Sequence, residues 1–340
     1  MIPAIFGLSG SHLTADERAF FREADPAGYI LFGRNCVDPL QLRALTDDLR
    51  SIHGRDRLLV SIDQEGGRVA RLRPPHWAGY PAGQAFEALY DLAPASAIEA
   101  ARANATAMAL ELSAMGITVD YHPPLDLRVP GAHDVIGDRA FGSHPMAVAA
   151  LGRAVLEGLA AGGVTGCIKH MPGHGRTDVD THKALPTVTA SAADLEDDLT
   201  PFRTLNHALI GMTGHLVFTA WDAENPATLS STVIRDVIRG AIGFDGLLLT
   251  DDIDMEALGG SIPERAARAH AAGVDIVLNC WGKMDDMAGI CDVLPTMSEA
   301  TSARLDKALA GTCVIDAISP RATELLAKRD ALLALTGASA

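Results

Sequence analysis

The sequence predicts a parallel α/β fold closed into a single (β/α)8 barrel of the TIM type, and three observations carry that prediction. Short apolar runs recur eight times along the 340 residues, segments of helical period separate them, and polar residues fall where the runs end. The runs occupy residues 2–8, 28–33, 58–63, 116–121, 164–169, 211–218, 246–251 and 274–279. They are too short for helices and mostly lack period-2 alternation, as strands covered on both faces do. An open doubly wound sheet is the competing arrangement.

The separating segments have helix signals of their own. Residues 14–24 open with Thr14 and Glu17 in capping-box spacing. Residues 39–52, 95–116 and 145–163 follow, and in 230–243 Ser230 or Ser231 is the expected N-cap and Gly243 the stop. Strand and helix alternating to the end imply a parallel sheet. Residues 1–340 are expected to form one catalytic barrel domain, with 297–336 making two further helices packed on it. The sequon at 104–106 falls within a helical pattern and is discounted as a glycosylation acceptor.

Composition excludes several functions. The net charge of −15 opposes binding to nucleic acid or to an anionic membrane surface. The five cysteines, Cys36, Cys167, Cys280, Cys291 and Cys313, show no CxxC spacing, so neither a disulfide framework nor a structural zinc site is expected. The N-terminus has no basic leader, and no apolar stretch nears the roughly 20 residues needed to span a bilayer. A soluble, cytoplasmic, monomeric protein is the expectation.

Chemistry in such a barrel gathers where strands end. Asp63 ends the third run, Lys169 and His170 the fifth and Asp251 the seventh; His215 lies within the sixth and Asn279 ends the eighth. The stretch KHMPGHGRTDVDTH at 169–182 is the densest in titratable groups. Asp180 and His182, two apart, face the same side if the chain is extended, so the carboxylate can fix the imidazole tautomer and raise its basicity. Asp251 is placed to attack an anomeric carbon or to stabilise an oxocarbenium ion. Asp252 and Asp254 compete for that role, Asp254 reading more as a helix N-cap. His170, His174, Asp178, Asp180 and His182 are also zinc-type ligands, although barrel metal sites draw on several strands rather than one loop. Phosphate-loop, dinucleotide, HExxH and GxSxG signatures are absent.

Together with DQEGGRVAR at 63–71, IGDRAF at 136–141 and GFDGLLLTDD at 243–252, this loop resembles family 3 glycoside hydrolases, specifically the single-domain bacterial β-N-acetylhexosaminidases. The resemblance implies that Asp251 is the nucleophile of a covalent glycosyl-enzyme, His182 the general acid/base and Asp180 its partner. It implies that Asp63, Arg71, Arg139, Lys169 and His170 hold an N-acetylglucosamine ring in the −1 subsite, with neither metal nor cofactor. The implied reaction is retaining removal of terminal β-linked GlcNAc from small glycans, the GlcNAc–anhydro-MurNAc fragments, with or without peptide, of peptidoglycan recycling. A β-glucosaminide phosphorylase or a β-glucosidase of the same family, a metal-dependent barrel hydrolase and a sugar sensor on an inactive barrel are the alternatives.

Some side chains carry separate expectations. Glu65 and Arg68 are expected to pair within their loop. Arg139 either holds sugar or pairs with Asp138 or Asp134. His215 lies near the pocket or makes a core hydrogen bond. Trp77, Trp221 and Trp281 either stack on sugar or pack. Thr250, Met171, Arg176 and Thr181 depart from the usual family pattern, and Arg176 either favours an anionic leaving group or is solvated.

Overall fold

The structure, a computed structural model, describes residues 1–129, 131–132, 134–177 and 185–337. All eight apolar runs contribute strands of one closed barrel: β1 Ile2–Gly7, β2 Pro26–Leu31, β3 Leu59–Ile62, β4 Val119–Asp120, β5 Thr165–Met171, β6 Ile210–Thr213, β7 Leu247–Asp252 and β8 Ile276–Asn279. Each strand pairs in parallel with the next, and β8 closes onto β1 with Ile5 opposite Leu278.

The lack of alternation has a simple cause. Successive residues on a strand point to opposite faces, and here both faces are apolar. Ile5, Ile30, Leu59, Val119, Cys167, Ile210, Leu247 and Ile276 fill the barrel interior. Their neighbours Phe6, Tyr29, Val60, Ile168, Leu248 and Val277 pack outward against the helices.

Among the described residues ten helices surround the strands: α1 Ala15–Ala24, α2 Pro39–His53, α3 Gly83–Leu92, α4 Pro94–Ala114, α5 Pro145–Ala161, α6 Glu196–Thr204, α7 Ile262–Ala272, α8 Met284–Val293, α9 Glu299–Leu309 and α10 Arg321–Leu333. The capping box at α1 forms as expected, Thr14 Oγ1 accepting from the Glu17 N–H at 3.1 Å and Glu17 Oε2 from the Thr14 N–H at 2.9 Å. Ser230 caps the segment Val233–Ala241, its hydroxyl accepting from the Val233 N–H at 3.1 Å, but that segment winds as a π-helix. The tail does form two helices. Leu305, Ala308 and Leu309 of α9 pack onto the residues of the barrel interior. Helix α10 covers α4, where Arg329 donates to Asn104 Oδ1 at 3.0 Å, so the sequon asparagine is buried.

One strand differs from expectation. The run 211–218 leaves the barrel at Thr213, and Val217–Phe218 instead joins a three-stranded sheet with Thr187–Val188 and Asp222–Pro226. His215 therefore lies beyond β6 rather than within it. Among the described residues the cysteines are free thiols, and no helix is long and apolar enough to cross a membrane.

Candidate active site

A cavity of about 550 Å³ opens at the C-terminal ends of the strands, lined among others by Asp63, Arg71, Arg139, Lys169, His170 and Asp251. It falls within the ~300–1,000 Å³ typical of small-molecule sites. These six residues, drawn from four stretches far apart in sequence, thus share one hollow. Asp178, Asp180 and His182 lie outside the described residues.

Lys169 is the centre of the polar floor. It sits on β5 with its side chain pointing into the barrel mouth and is almost wholly buried. Its Nζ donates to Asp63 Oδ1 at 3.0 Å and lies 2.7 Å from Glu65 Oε1. Arg71 donates to the other Asp63 oxygen at 3.0 Å. Arg139 grips Glu65 with both arms of its guanidinium, at 2.8 and 2.9 Å. Burial opposes the charge on both acids, but the cations more than offset it. Lys169 and Arg71 hold Asp63 below its usual range; Arg139 and Lys169 hold Glu65 well below. Lys169 is likewise kept protonated against its own burial by Glu65 and Asp63. The result is a fixed array of donors and acceptors of the kind that sugar hydroxyls require.

This arrangement corrects two expectations. Glu65 does not pair with Arg68; a buried carboxylate demands full pairing, and Arg139 and Lys169 supply it. Arg68, more exposed, turns the other way to Asp138 at 2.8 Å. Arg139 pairs with Glu65 rather than with Asp138 or Asp134.

His170 is oriented by Asp126, whose Oδ2 lies 2.7 Å from Nδ1. The Asp126 Oδ1 also accepts the backbone N–H groups of His170 and His174, at 3.1 and 2.8 Å, so one carboxylate ties the start of the 170 loop to the segment after β4. Gly175 completes that tie, because a Cβ there would sit 1.9 Å from the Leu127 carbonyl oxygen. His174 packs edge-on against His170, and burial first, then the His170 charge, pushes it down to about 4. No group of three or more His, Cys, Asp or Glu among the described residues is arranged to hold a metal.

Asp251 stands at the end of β7, half-buried, facing the cavity. Its Oδ1 accepts the Asp252 N–H at 2.8 Å; its other oxygen has no hydrogen-bond donor among the described residues. Burial favours its neutral form, but the imidazoles of His170 and His215, the Asp252 N–H and Lys169 together hold it below the ordinary aspartate range. His215 is a core group with a positioning task. Its Nε2–H donates to the Asp252 carbonyl at 2.9 Å, which leaves Nδ1 to accept from the Thr228 hydroxyl at 2.8 Å.

The two competing aspartates do different work. Asp254 is not a helix cap: α7 starts eight residues later under its own Ser261 cap. The Asp254 carboxylate accepts from Asn279 Nδ2 and the Cys280 N–H, both at 2.9 Å, and so ties β7 to β8. Asp252 lines the cavity, and burial, with Asp254 beside it, pushes its carboxyl up to about 8. An acid whose folded pKa is raised above its unfolded value binds more protons when folded, so the stability it permits is lost as pH rises from the ordinary aspartate value through the folded one. Asp252→Asn mimics the neutral acid. Denaturant titrations are expected to show the variant gaining on the wild type between pH 5 and pH 9; a constant difference would contradict the assignment.

Arg176 is only partly exposed and is paired. Its Nε donates to the buried Asp198 carboxylate at 2.7 Å. Trp77 is buried, Trp221 packs against Phe218, and Trp281 is exposed.

Comparison with known proteins agrees with this geometry. Residues 8–311 match the glycosyl hydrolase family 3 N-terminal domain. The chain belongs to glycosyl hydrolase family 3. It is 37% identical over 283 residues to a beta-hexosaminidase of Bordetella avium, covering 82% of this chain and 80% of that one. Against a beta-hexosaminidase of Alkalilimnicola ehrlichii the identity is 41% with the same coverage. The fold superposes on NagZ from Neisseria gonorrhoeae in complex with N-trifluoroacetyl-D-glucosamine with a TM-score of 0.87, at 31% identity and 98% coverage of both chains. The family 3 chain is a glycoside hydrolase, of the β-N-acetylhexosaminidase type.

Sequence reasoning missed two residues of this family 3 site. Glu65 was legible as part of a motif but not as the acid beneath Lys169 and Arg139. Asp126 gave a fainter signal, a lone acid in the apolar stretch PPLDL just past β4.

Proposed function

We propose that this enzyme is a retaining exo-β-N-acetylglucosaminidase that works through a covalent glycosyl-aspartate. The observation that carries the reading is the ionised Asp251 carboxylate, one oxygen free of donors among the described residues, facing a cavity floored by Asp63, Arg71, Arg139 and Lys169. In the proposal these floor groups and His170 hold the terminal GlcNAc in the −1 subsite. An Asp251 oxygen attacks C1 as the bond from C1 to the leaving oxygen breaks, and the His182 imidazolium gives that oxygen its proton. The neutral imidazole, held by Asp180, then takes a proton from water as the water oxygen displaces Asp251 from C1. GlcNAc of β configuration leaves, and both groups return to their starting state.

The substrates of this reading are small glycans ending in GlcNAc, with GlcNAc–anhydro-MurNAc fragments of the cell wall as the natural class and the cytoplasm as the place. The hexosaminidase relatives and the N-acylated glucosamine bound by the Neisseria protein support it.

The test is His182→Ala with 4-nitrophenyl GlcNAc. That leaving group needs no proton, so the first step survives while the second stalls. Intact-mass and peptide spectra should show one GlcNAc residue attached to Asp251. Attachment elsewhere, or none, would overturn the mechanism. Sugar phosphate in place of free sugar, appearing only with added phosphate, would make the enzyme a phosphorylase.

A further inference from the structure

Asp126 lies wholly buried just past β4, and its carboxylate meets three N–H groups. Oδ1 accepts the backbone N–H of His170 at 3.1 Å and that of His174 at 2.8 Å, and Oδ2 lies 2.7 Å from His170 Nδ1. The backbone fixes where this carboxylate sits, because the neighbouring Leu125 N–H donates to the Lys169 carbonyl on β5 at 2.7 Å. Burial opposes its charge, but the His170 imidazole and its hydrogen bond, then His174, hold it below the usual aspartate range.

The chemistry of that contact decides the state of the ring. An ionised carboxylate accepts and has no proton to give. The proton between Oδ2 and the ring therefore belongs to Nδ1, and in the neutral ring Nε2 is left as an acceptor. The His170 ring lines the cavity, and Nε2 has no hydrogen-bond partner among the described residues. The ring also adjoins the nucleophile, since after burial its charge is the largest influence on Asp251. Its orientation thus reaches the reacting end of the cavity, yet it is set by a residue that does not line the cavity.

We infer that Asp126 is a positioning residue of this glycosidase site: it fixes the His170 imidazole with the proton on Nδ1, so that Nε2 accepts a hydrogen bond from one hydroxyl of the terminal GlcNAc. The inference rests on the proposed reading that His170 holds this sugar, and adds the direction of the contact. A sugar that has no proton to donate at that point is selected against.

Asp126→Asn tests the inference with little change of shape. The two backbone N–H groups need an acceptor, so the amide oxygen takes the place of Oδ1 and the amide nitrogen that of Oδ2. That nitrogen donates to Nδ1, which moves the ring proton to Nε2 and turns an acceptor into a donor. Nitrogen–proton correlation spectra of the imidazoles, with His170 assigned by its loss in His170→Ala, should show the neutral ring protonated on Nδ1 in wild type and on Nε2 in Asp126→Asn. The kinetic arm uses 4-nitrophenyl GlcNAc and the three analogues in which fluorine replaces one free hydroxyl. Fluorine keeps the size and cannot donate. The readout is the factor by which each fluorine lowers kcat/KM, a ratio that cancels any loss of folded enzyme. At one of the three positions this factor is expected to shrink roughly tenfold in Asp126→Asn, as removal of one mismatched hydrogen bond does. It should shrink likewise in His170→Ala, and adding Asp126→Asn to His170→Ala should change it no further, because Asp126 acts through the ring. The same three factors in wild type and Asp126→Asn, a further change in the double variant, or a wild-type ring protonated on Nε2 alone would overturn the inference while leaving the glycosidase reading intact. Wild type that releases nothing from 4-nitrophenyl GlcNAc would overturn that reading, and the spectra would still decide the tautomer.

Discussion

Replacing Asp251 with alanine is expected to lower kcat on 4-nitrophenyl GlcNAc by about 10⁴-fold or more, the order seen when a covalent nucleophile is removed. The loss should fall on kcat far more than on substrate affinity, because the groups proposed to hold the sugar are on other strands and are held by one another. Lys169 keeps Asp63 and Glu65, and Arg139 keeps Glu65, whether or not Asp251 is present. The melting curve should be retained, since among the described residues Asp251 accepts a single backbone hydrogen bond. Added azide supplies the decisive control. A small anion occupying the vacated space attacks C1 from the same face, so the rescued product should be the α-glycosyl azide. A β-azide, or an activity loss confined to KM, would place the nucleophile elsewhere.

The second large effect is on stability. Glu65→Ala is expected to cost about 3–5 kcal/mol in denaturant titrations, because it takes from Arg139 its paired carboxylate and leaves Lys169 to Asp63 in the barrel mouth. The sign with pH is fixed by the lowered Glu65 pKa. A depressed acid contributes stability that is present in full above its unfolded value and is lost as pH falls through the folded one. The gap between wild type and variant should therefore be widest near neutrality and close in strong acid. Glu65→Gln should fall between, keeping hydrogen-bond acceptors without the charge. A variant as stable as wild type would mean that water can replace the carboxylate and that the network is not the base of the site.

Much of the fold was legible in the sequence. The eight runs needed only local apolar character and length to be recognised. The polar residues at their ends needed only position, so Asp63, Lys169, His170 and Asp251 could be singled out together before any of them was seen in one cavity. Apart from the run 211–218, which leaves the barrel at Thr213, and the π-helix at Val233–Ala241, expectation and structure part over questions of partner. Glu65 was paired with the nearby Arg68, whereas its partner Arg139 lies 74 residues along the chain. Asp126, which orients His170 from 44 residues away, was not singled out at all. Asp254 was given a local capping role but bonds across to β8. Arg176 was read as favouring an anionic leaving group or as solvated, and its guanidinium meets Asp198.

The sequence by itself determined that this chain closes into a barrel, which strand ends carry reactive groups, and which family those motifs belong to, because apolar period and motif spacing are properties of adjacent residues. Only the tertiary structure decided which charges neutralise one another and which are left for a substrate. That choice depends on which strand ends converge and how completely each group is removed from water, and neither is written in any one segment of the chain.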